Sequence, residues 1–146
     1  MKIGRFKFLH KRIVGPDSDP LLIRYIIFST PIGGVYLHKF CRSDYDLALH
    51  CHPWDFVSII LKGGYDEQTD VGILQHKPGS ILLRPAEWRH RVIIRDLKKP
   101  SWNLILKGPR RRHWGFWPDG KFCWWRKFNY RLGICEEDII WEEGDD

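Results

Sequence analysis

Turn-forming residues recur at short intervals along the chain and separate short segments that are rich in β-branched and aromatic residues. Glycine and proline are the strongest breaks in a chain, and no helical spacing of apolar residues persists here beyond about ten residues. Short strands between regularly spaced turns are typical of a β-sandwich or β-barrel, so the pattern predicts an all-β fold. The predicted strands are residues 21–28, 35–40, 56–62, 80–84, 90–95, 102–107 and 122–128.

The length of 146 residues fits one domain, and no linker or internal repeat divides residues 1–146. No apolar run approaches the roughly 18 residues that a membrane-spanning helix needs. The basic N-terminus also lacks the apolar stretch of a secretory signal. These features predict a single domain with no membrane partner.

The cysteines Cys41, Cys51, Cys123 and Cys135 include no Cys-x-x-Cys pair. Their spacing suits neither a structural zinc site nor a small disulfide framework. Reduced thiols are therefore the simplest interpretation, and they indicate a cytoplasmic location.

The charge of the chain is unevenly distributed. Seven of its 18 acidic residues form an acidic tail in residues 136–146, so residues 1–135 carry 24 basic residues against 11 acidic ones. A body with this positive charge would attract phosphates or other anions, nucleic acid among them. The alternative is a solvated surface that its own acidic tail partly neutralises.

His50 and His52 are separated by one residue. Side chains alternate along an extended strand, so both imidazoles would point to one face and Cys51 to the other. Two neutral nitrogens that converge on one point suit a divalent transition metal.

The residues that follow resemble the motifs of the cupin superfamily. His50, His52 and a closing Gly63 match the first motif, and Gly79, Pro85 and His90 match the second with the family's spacing. Glu87 stands where the family has a glycine, and Ile94 stands where it has an asparagine. The resemblance covers residues 44–94. It implies a jelly-roll barrel, the cupin-type double-stranded β-helix.

The resemblance implies a site for a divalent transition metal (Fe, Mn, Ni or Zn) held by His50, His52 and His90. The family's carboxylate ligand should fall at position 56 or 57, which are Phe and Val here, and Asp55 lies one residue early. Asp55 would join the histidines only if a bulge near residues 53–54 rotated it inward. Otherwise the site consists of three histidines, as in some cupin oxygenases.

Alternation from His52 onward places Trp54, Phe56 and Ser58 on the cavity face, where they would line a substrate pocket. Two further residues are candidates for catalytic roles. Arg84 could bind the carboxylate or phosphate of an anionic substrate through its two-pronged guanidinium, or form a structural ion pair with Glu87 or an aspartate. Glu87 could act as a general base or accept a hydrogen bond from a ligand imidazole, or be an exposed loop residue.

Basic residues are interleaved with aromatic residues in residues 107–117 and 123–128. Such a segment could bind single-stranded nucleic acid through backbone attraction and base stacking. It could also be a final hairpin over residues 102–128 whose tryptophans close one mouth of the barrel, or a face for a homodimer.

Three functions therefore remain open. The first is a metal-binding cupin that acts on a small, anionic molecule in the barrel as an iron(II)-type oxygenase, with an isomerase as the alternative enzyme. The second is a non-catalytic cupin that binds or senses a small ligand. The third is a nucleic-acid-binding module that uses the basic C-terminal segment.

Overall fold

The computed structural model describes residues 6–44, 47–130 and 132–136. Over these residues the chain forms fourteen β-strands and two short 3₁₀ turns, at Pro118–Gly120 and Trp125–Lys127. The strands are β1 (Lys7–Val14), β2 (Leu22–Thr30), β3 (Gly33–Phe40), β4 (Leu49–His50), β5 (Phe56–Lys62), β6 (Tyr65–Thr69), β7 (Gly72–His76), β8 (Ile81–Arg84), β9 (His90–Ile93), β10 (Ser101–Lys107), β11 (Gly115–Trp117), β12 (Cys123–Trp124), β13 (Phe128–Asn129) and β14 (Ile134–Cys135).

The strands pair antiparallel in two six-stranded sheets and one two-stranded sheet. The first large sheet has the order β1-β2-β3-β10-β5-β8, and the second has the order β12-β11-β4-β9-β6-β7. Strands that follow one another in the sequence often lie in different sheets, as in a jelly roll. The predicted all-β fold is therefore confirmed.

Apolar side chains from both large sheets meet in the core between them. Ile60 and Leu82 of the first sheet pack against Tyr65 and Val92 of the second and against Ile94, which directly follows β9. Alternation explains which residues face inward, because every second residue of a strand points to the same side of its sheet. In β6, for example, Tyr65 and Thr69 are buried while the residues next to them are partly exposed.

The turn between β5 and β6 carries the chain from one sheet to the other through Gly63 and Gly64, which have φ values of 84° and 101°. Glycine adopts such angles at little cost, whereas other residues are strained there. A Cβ atom on Gly63 would also lie only 2.4 Å from the carbonyl oxygen of Pro100. This glycine therefore allows β5 and β6 to join in a tight turn.

The observed strands differ from the predicted ones in two places. Among the strands of five or more residues, three were not predicted, at Lys7–Val14, Tyr65–Thr69 and Gly72–His76, and the short strands Leu49–His50, Gly115–Trp117 and Ile134–Cys135 were missed as well. Residues 102–128 also do not form one hairpin, because β10 lies between β3 and β5, whereas β11 and β12 pair with each other and β11 also pairs with β4. Residues 137–146, most of the acidic tail, lie outside the described residues.

The expectation of four reduced thiols is wrong for one pair. Cys123 and Cys135 form a disulfide that ties β12 to β14, whereas Cys41 and Cys51 are free. Disulfides are rare in a reducing cytosol, so the cysteines no longer indicate a cytoplasmic location. The described residues form no helix that is long and apolar enough to cross a bilayer.

Candidate metal centre

Three imidazoles converge at the centre of the second large sheet, and we call His50, His52 and His90 the histidine triad. His50 ends β4 and lies directly opposite His90, the first residue of β9. One potential ligand nitrogen from each ring lies within 4.8 Å of the other two. Nε2 of His52 and Nε2 of His90 are 2.9 Å apart. The predicted convergence of these three residues is confirmed.

Backbone hydrogen bonds hold the His50-Cys51-His52 segment in place. The amide of Cys51 donates to the carbonyl of Gly115 at 3.0 Å, and the amide of His52 donates to the carbonyl of Ala86 at 3.1 Å. Because side chains alternate here, Cys51 is fully buried, with its thiol 3.6 Å from the Gly115 carbonyl. The two histidines on either side of it face the barrel together, with ring centroids 5.1 Å apart.

Burial favours the neutral form of His50 and His52. It lowers the pKa of His50 to about 4, although the nearby carboxylate of Asp44 opposes the shift. Burial, together with the neighbouring imidazoles of His50 and His90, also lowers the pKa of His52 well below its usual value. Neutral imidazole is the form that binds a metal, because its ring nitrogen offers a lone pair.

A buried carboxylate, Glu67 on β6, lies behind the triad and was not predicted from the sequence. Glu67 is fully buried, and its carboxylate accepts hydrogen bonds from four side chains. Nδ1 of His90 lies 2.6 Å from one carboxylate oxygen, and Nη2 of Arg84 lies 2.6 Å from the other. Nε1 of Trp88 and Nε2 of His76 complete the set at 2.9 and 2.7 Å.

The charge of Glu67 fixes the orientation of His90. Burial alone would raise the pKa of Glu67, but hydrogen bonds from His90 and Arg84 lower it below its usual value. An ionised carboxylate only accepts hydrogen bonds, so Nδ1 of His90 must carry the proton. In a neutral ring with this tautomer, Nε2 of His90, which faces Nε2 of His52, carries the lone pair. Partners of this kind set the tautomer of a metal-bound histidine in many proteins.

The histidine triad fits a divalent cation. Two nitrogen ligands each about 2.1 Å from one metal, at roughly a right angle, lie about 3 Å apart. The 2.9 Å between the Nε2 atoms of His52 and His90 matches that separation. Three nitrogen donors suit Fe, Mn, Ni or Zn better than Mg²⁺ or Ca²⁺, which prefer oxygen.

Asp55 does not lie with the histidines. Its carboxylate accepts a hydrogen bond from the amide of Ala86 at 2.7 Å and forms an ion pair with Arg111, and about half of its side chain is exposed. No bulge rotates Asp55 inward, because Phe56, the next residue, is the one that contacts His52. The structure therefore does not support Asp55 as a ligand.

The two residues proposed for catalysis both have structural partners. Arg84 shares the inward face of β8 with Leu82, as alternation predicts, but its guanidinium binds Glu67 through Nε and Nη2. Glu87 is exposed and pairs with Arg111 at 3.1 Å. Glu87 is therefore an exposed loop residue, which was one of the alternatives for it. Arg84 forms a structural ion pair, as one alternative held, but its partner is Glu67 rather than Glu87 or an aspartate.

The predicted pocket residues lie at different distances from the triad. The ring of Phe56 lies 4.8 Å from that of His52 and 6.3 Å from that of His90, so Phe56 borders the site directly. Ser58 is buried and faces the barrel interior one step further along β5. Trp54 contacts Lys107, whose Nζ lies 4.5 Å from the centre of its ring.

The aromatic residues of the C-terminal segment pack against one another. Trp114 stacks on Trp125 with ring centroids 5.6 Å apart, and Phe116 stacks on Phe128 at 4.1 Å. The ring of Phe116 also lies 6.1 Å from that of His50. This packing is a structural role, which the sequence left open as an alternative, and it reaches the triad at His50 through Phe116.

No protein-family model matches the sequence, and no curated protein is significantly similar to it. Solved structures do match. KdgF from Halomonas sp. is 20% identical with a TM-score of 0.55, covering 72% of this chain and 96% of that one. A sugar phosphate isomerase from a cupin superfamily, from Silicibacter pomeroyi, is 17% identical with a TM-score of 0.56, covering 74% and 76%.

The polyketide cyclase RemF from Streptomyces resistomycificus is also similar in structure. It is 16% identical with a TM-score of 0.59, and the match covers 73% of this chain and 78% of that one. At sequence identities this low, a structural match shows a similar fold and not a shared activity. The sheet order, the two matching motifs and these neighbours agree, and the chain therefore has the fold of a small cupin.

Proposed function

We propose that this protein is a metal-dependent enzyme that acts on a small, anionic molecule inside the barrel. The histidine triad, with His90 oriented by the buried Glu67, is the observation that carries the proposal. Three ring nitrogens within 4.8 Å of one another suit a divalent cation, which would take a lone pair from each imidazole.

A divalent cation held by three neutral histidines would keep its full charge, and it would act as a Lewis acid on a substrate oxygen or, as iron(II), support an oxygenase reaction. The residues of the chain supply the rest of the site. Glu67 holds the proton on Nδ1 of His90, and Arg84 in turn holds Glu67. The ring of Phe56 lies edge-to-face against His52 and would shield that side of it from water.

Two chemistries compete within this function. The names of two structurally similar proteins, a sugar phosphate isomerase and a polyketide cyclase, favour Lewis-acid chemistry on a carbonyl or hydroxyl group. An iron(II) oxygenase is the second candidate, because a site of three histidines without a carboxylate ligand resembles that of some cupin oxygenases. Oxygen consumption separates them, since an isomerisation consumes no oxygen.

The test uses full-length protein purified without added metal. Elemental analysis should find close to one transition metal per chain after reconstitution. The reconstituted protein is then incubated with a panel of small sugar phosphates and hydroxy acids, and products are followed by NMR beside an oxygen electrode. His90→Ala should lose both the metal and the turnover. His10→Ala, which removes an exposed imidazole on β1, should keep both.

Metal binding without turnover on any compound would contradict the enzyme and favour the non-catalytic, ligand-binding cupin. Failure of reconstituted protein to retain metal would contradict the metal centre itself. The homodimer and the cytoplasmic location stay predictions. Nucleic-acid binding has little to support it, because Trp114, Phe116, Trp125 and Phe128 use their faces to pack on one another.

A further inference from the structure

Arg24 carries a guanidinium group on the inner face of the first large sheet. It alternates along β2 with Leu22 and Ile26, which are both buried, so its side chain points into the barrel. It lies directly opposite His38 on β3, and its Nε donates to Nε2 of His38 at 2.9 Å. The residue is only partly buried, so solvent reaches part of it.

No carboxylate in the described part of the chain pairs with Arg24, and none of those residues accepts a hydrogen bond from its two terminal nitrogens. His38 does not balance the charge, because burial and the nearby Arg24 lower its pKa well below the usual value and leave it neutral. The other inward-facing arginine, Arg84, is by contrast paired with Glu67. Burial also lowers the pKa of Arg24.

A desolvated guanidinium without a counter-charge is unfavourable, and an oxyanion that enters the barrel would relieve that cost. The planar guanidinium can present two parallel N–H groups to two oxygens of one carboxylate or phosphate. The ion pair would also be stronger in this partly desolvated place than at the protein surface.

Packed side chains connect Arg24 to the histidine triad. Its guanidinium carbon lies 5.3 Å from the centre of the Tyr36 ring. Tyr36 belongs to the buried cluster against which Phe56 packs, and the ring of Phe56 lies 4.8 Å from that of His52. Arg24 and the triad therefore border the same part of the barrel interior.

A second cation lies near Tyr36. Nζ of Lys107, on β10, lies 5.9 Å from the centre of the Tyr36 ring. None of the acidic side chains that the structure describes forms an ion pair with Lys107. Two cations without acidic partners thus flank one aromatic ring of the cluster against which Phe56 packs, which raises the local positive potential.

We infer that Arg24 is the residue that binds the carboxylate or phosphate group of the small molecule on which the triad acts, with Lys107 adding positive charge beside it. The inference rests on the proposed function, because it places the reacting part of that molecule at the metal. It also moves the anion-binding role from Arg84, where the sequence suggested it, to a strand that precedes both cupin motifs.

The test titrates metal-free, full-length protein with inorganic phosphate and, separately, with acetate, at constant pH and ionic strength. The readout is the ¹H–¹⁵N signal of the arginine Nε–H groups, and the Arg24 signal is assigned from its loss in Arg24→Lys. We expect a saturable shift of that signal with at least one of the two anions. Saturation by only one of them identifies the oxyanion.

Variants separate binding at Arg24 from binding elsewhere. Arg24→Gln should raise the dissociation constant about tenfold or more, and Arg24→Lys, which keeps the charge but loses the two-pronged geometry, should raise it less. Tryptophan fluorescence follows binding in both. Arg95→Gln removes an exposed arginine that pairs with Asp66, and it should leave the constant unchanged. Circular dichroism confirms that each variant is folded.

The absence of a saturable shift up to about 50 mM of either anion, or an unchanged constant in Arg24→Gln, would overturn the inference. A zinc titration of the same samples separates this failure from that of the proposed function. Oxyanion binding that depends on Arg24, with no zinc binding, would keep the anion site and remove the metal centre. Zinc binding with no oxyanion binding would keep the metal centre and remove the anion site.

Discussion

Nδ1 of His90 lies 2.6 Å from Oε1 of Glu67, and the two residues lie on neighbouring strands of the same sheet. The carboxylate is fully buried and also binds Arg84, Trp88 and His76. A single buried charge thus organises one side of the histidine triad. A buried carboxylate destabilises the folded state unless both of its oxygens accept hydrogen bonds, and both oxygens of Glu67 do so.

Replacement of Glu67 by glutamine should weaken metal binding about 10- to 100-fold, because the partner that fixes the His90 tautomer loses its charge. It should also lower the free energy of unfolding by about 3–5 kcal/mol, since Arg84 is left without a counter-charge. Metal titration and urea unfolding measure the two effects. The matched control is Glu87→Gln, which breaks an exposed pair and should cost less than about 1 kcal/mol. Equal effects of the two substitutions would contradict the role of Glu67.

Replacement of His50 or His90 by alanine should abolish metal retention while the fold persists. The core consists of residues such as Ile60 and Val92, so the imidazoles add little to it. Elemental analysis after metal reconstitution measures the first effect, and circular dichroism measures the second. An unfolded His90→Ala protein would show that the histidine is structural, and a folded variant that still retains metal would show that it is not a ligand.

The metal-free protein should lose stability as the pH falls below about 6.5. The folded-state pKa of His50 is lowered to about 4, so the unfolded chain binds more protons than the folded one between these values. The stability that His50 contributes is therefore full above pH 6.5 and is lost as the pH falls to about 4, by roughly 3 kcal/mol at most. His38 and His52, whose pKa values are also lowered, act in the same direction.

Urea unfolding of metal-free protein at several pH values between 4 and 7 measures this slope. His50→Asn removes one of the titrating groups, so its stability should fall less steeply over the same range. The lowered pKa of Glu67 adds a further loss only in more acidic solution, as the pH falls below the usual glutamate value. An identical slope in wild type and His50→Asn would contradict the prediction.

Reduction of the Cys123–Cys135 disulfide should lower the free energy of unfolding by about 3 kcal/mol, because the bond closes a loop of 12 residues. Metal affinity should also fall slightly, since Phe116, next to this bond in the C-terminal cluster, packs on His50. Unfolding with and without reductant tests the stability. Cys41→Ser, which removes a free thiol, is the control. No effect of reductant on the wild-type protein would be inconsistent with the bond.

Local patterns were sufficient to predict much of the fold. The strand over residues 56–62 was predicted with its observed bounds, because apolar and β-branched residues run between clear turn signals there. Alternation also correctly placed His50 and His52 on one face. The strand at Tyr65–Thr69 was missed because its inner face alternates with polar residues and includes a glutamate.

The residues around the triad were harder to predict, because their partners are distant in the sequence. Glu67 lies 23 positions from His90 and 17 from Arg84, so the spacing between them carries no pattern. Its place between Tyr65 and Thr69, two residues that suit a buried strand face, was the one available signal. Cys123 and Cys135 were likewise left unpaired, because cysteine spacing alone does not determine connectivity.

An anomalous difference map from a crystal grown with manganese or zinc tests the metal centre most directly. We expect one strong peak bounded by a ring nitrogen from each of His50, His52 and His90, at about 2.0–2.3 Å. A map with no peak among the three rings, or with the metal held elsewhere by other residues, would contradict the proposed centre.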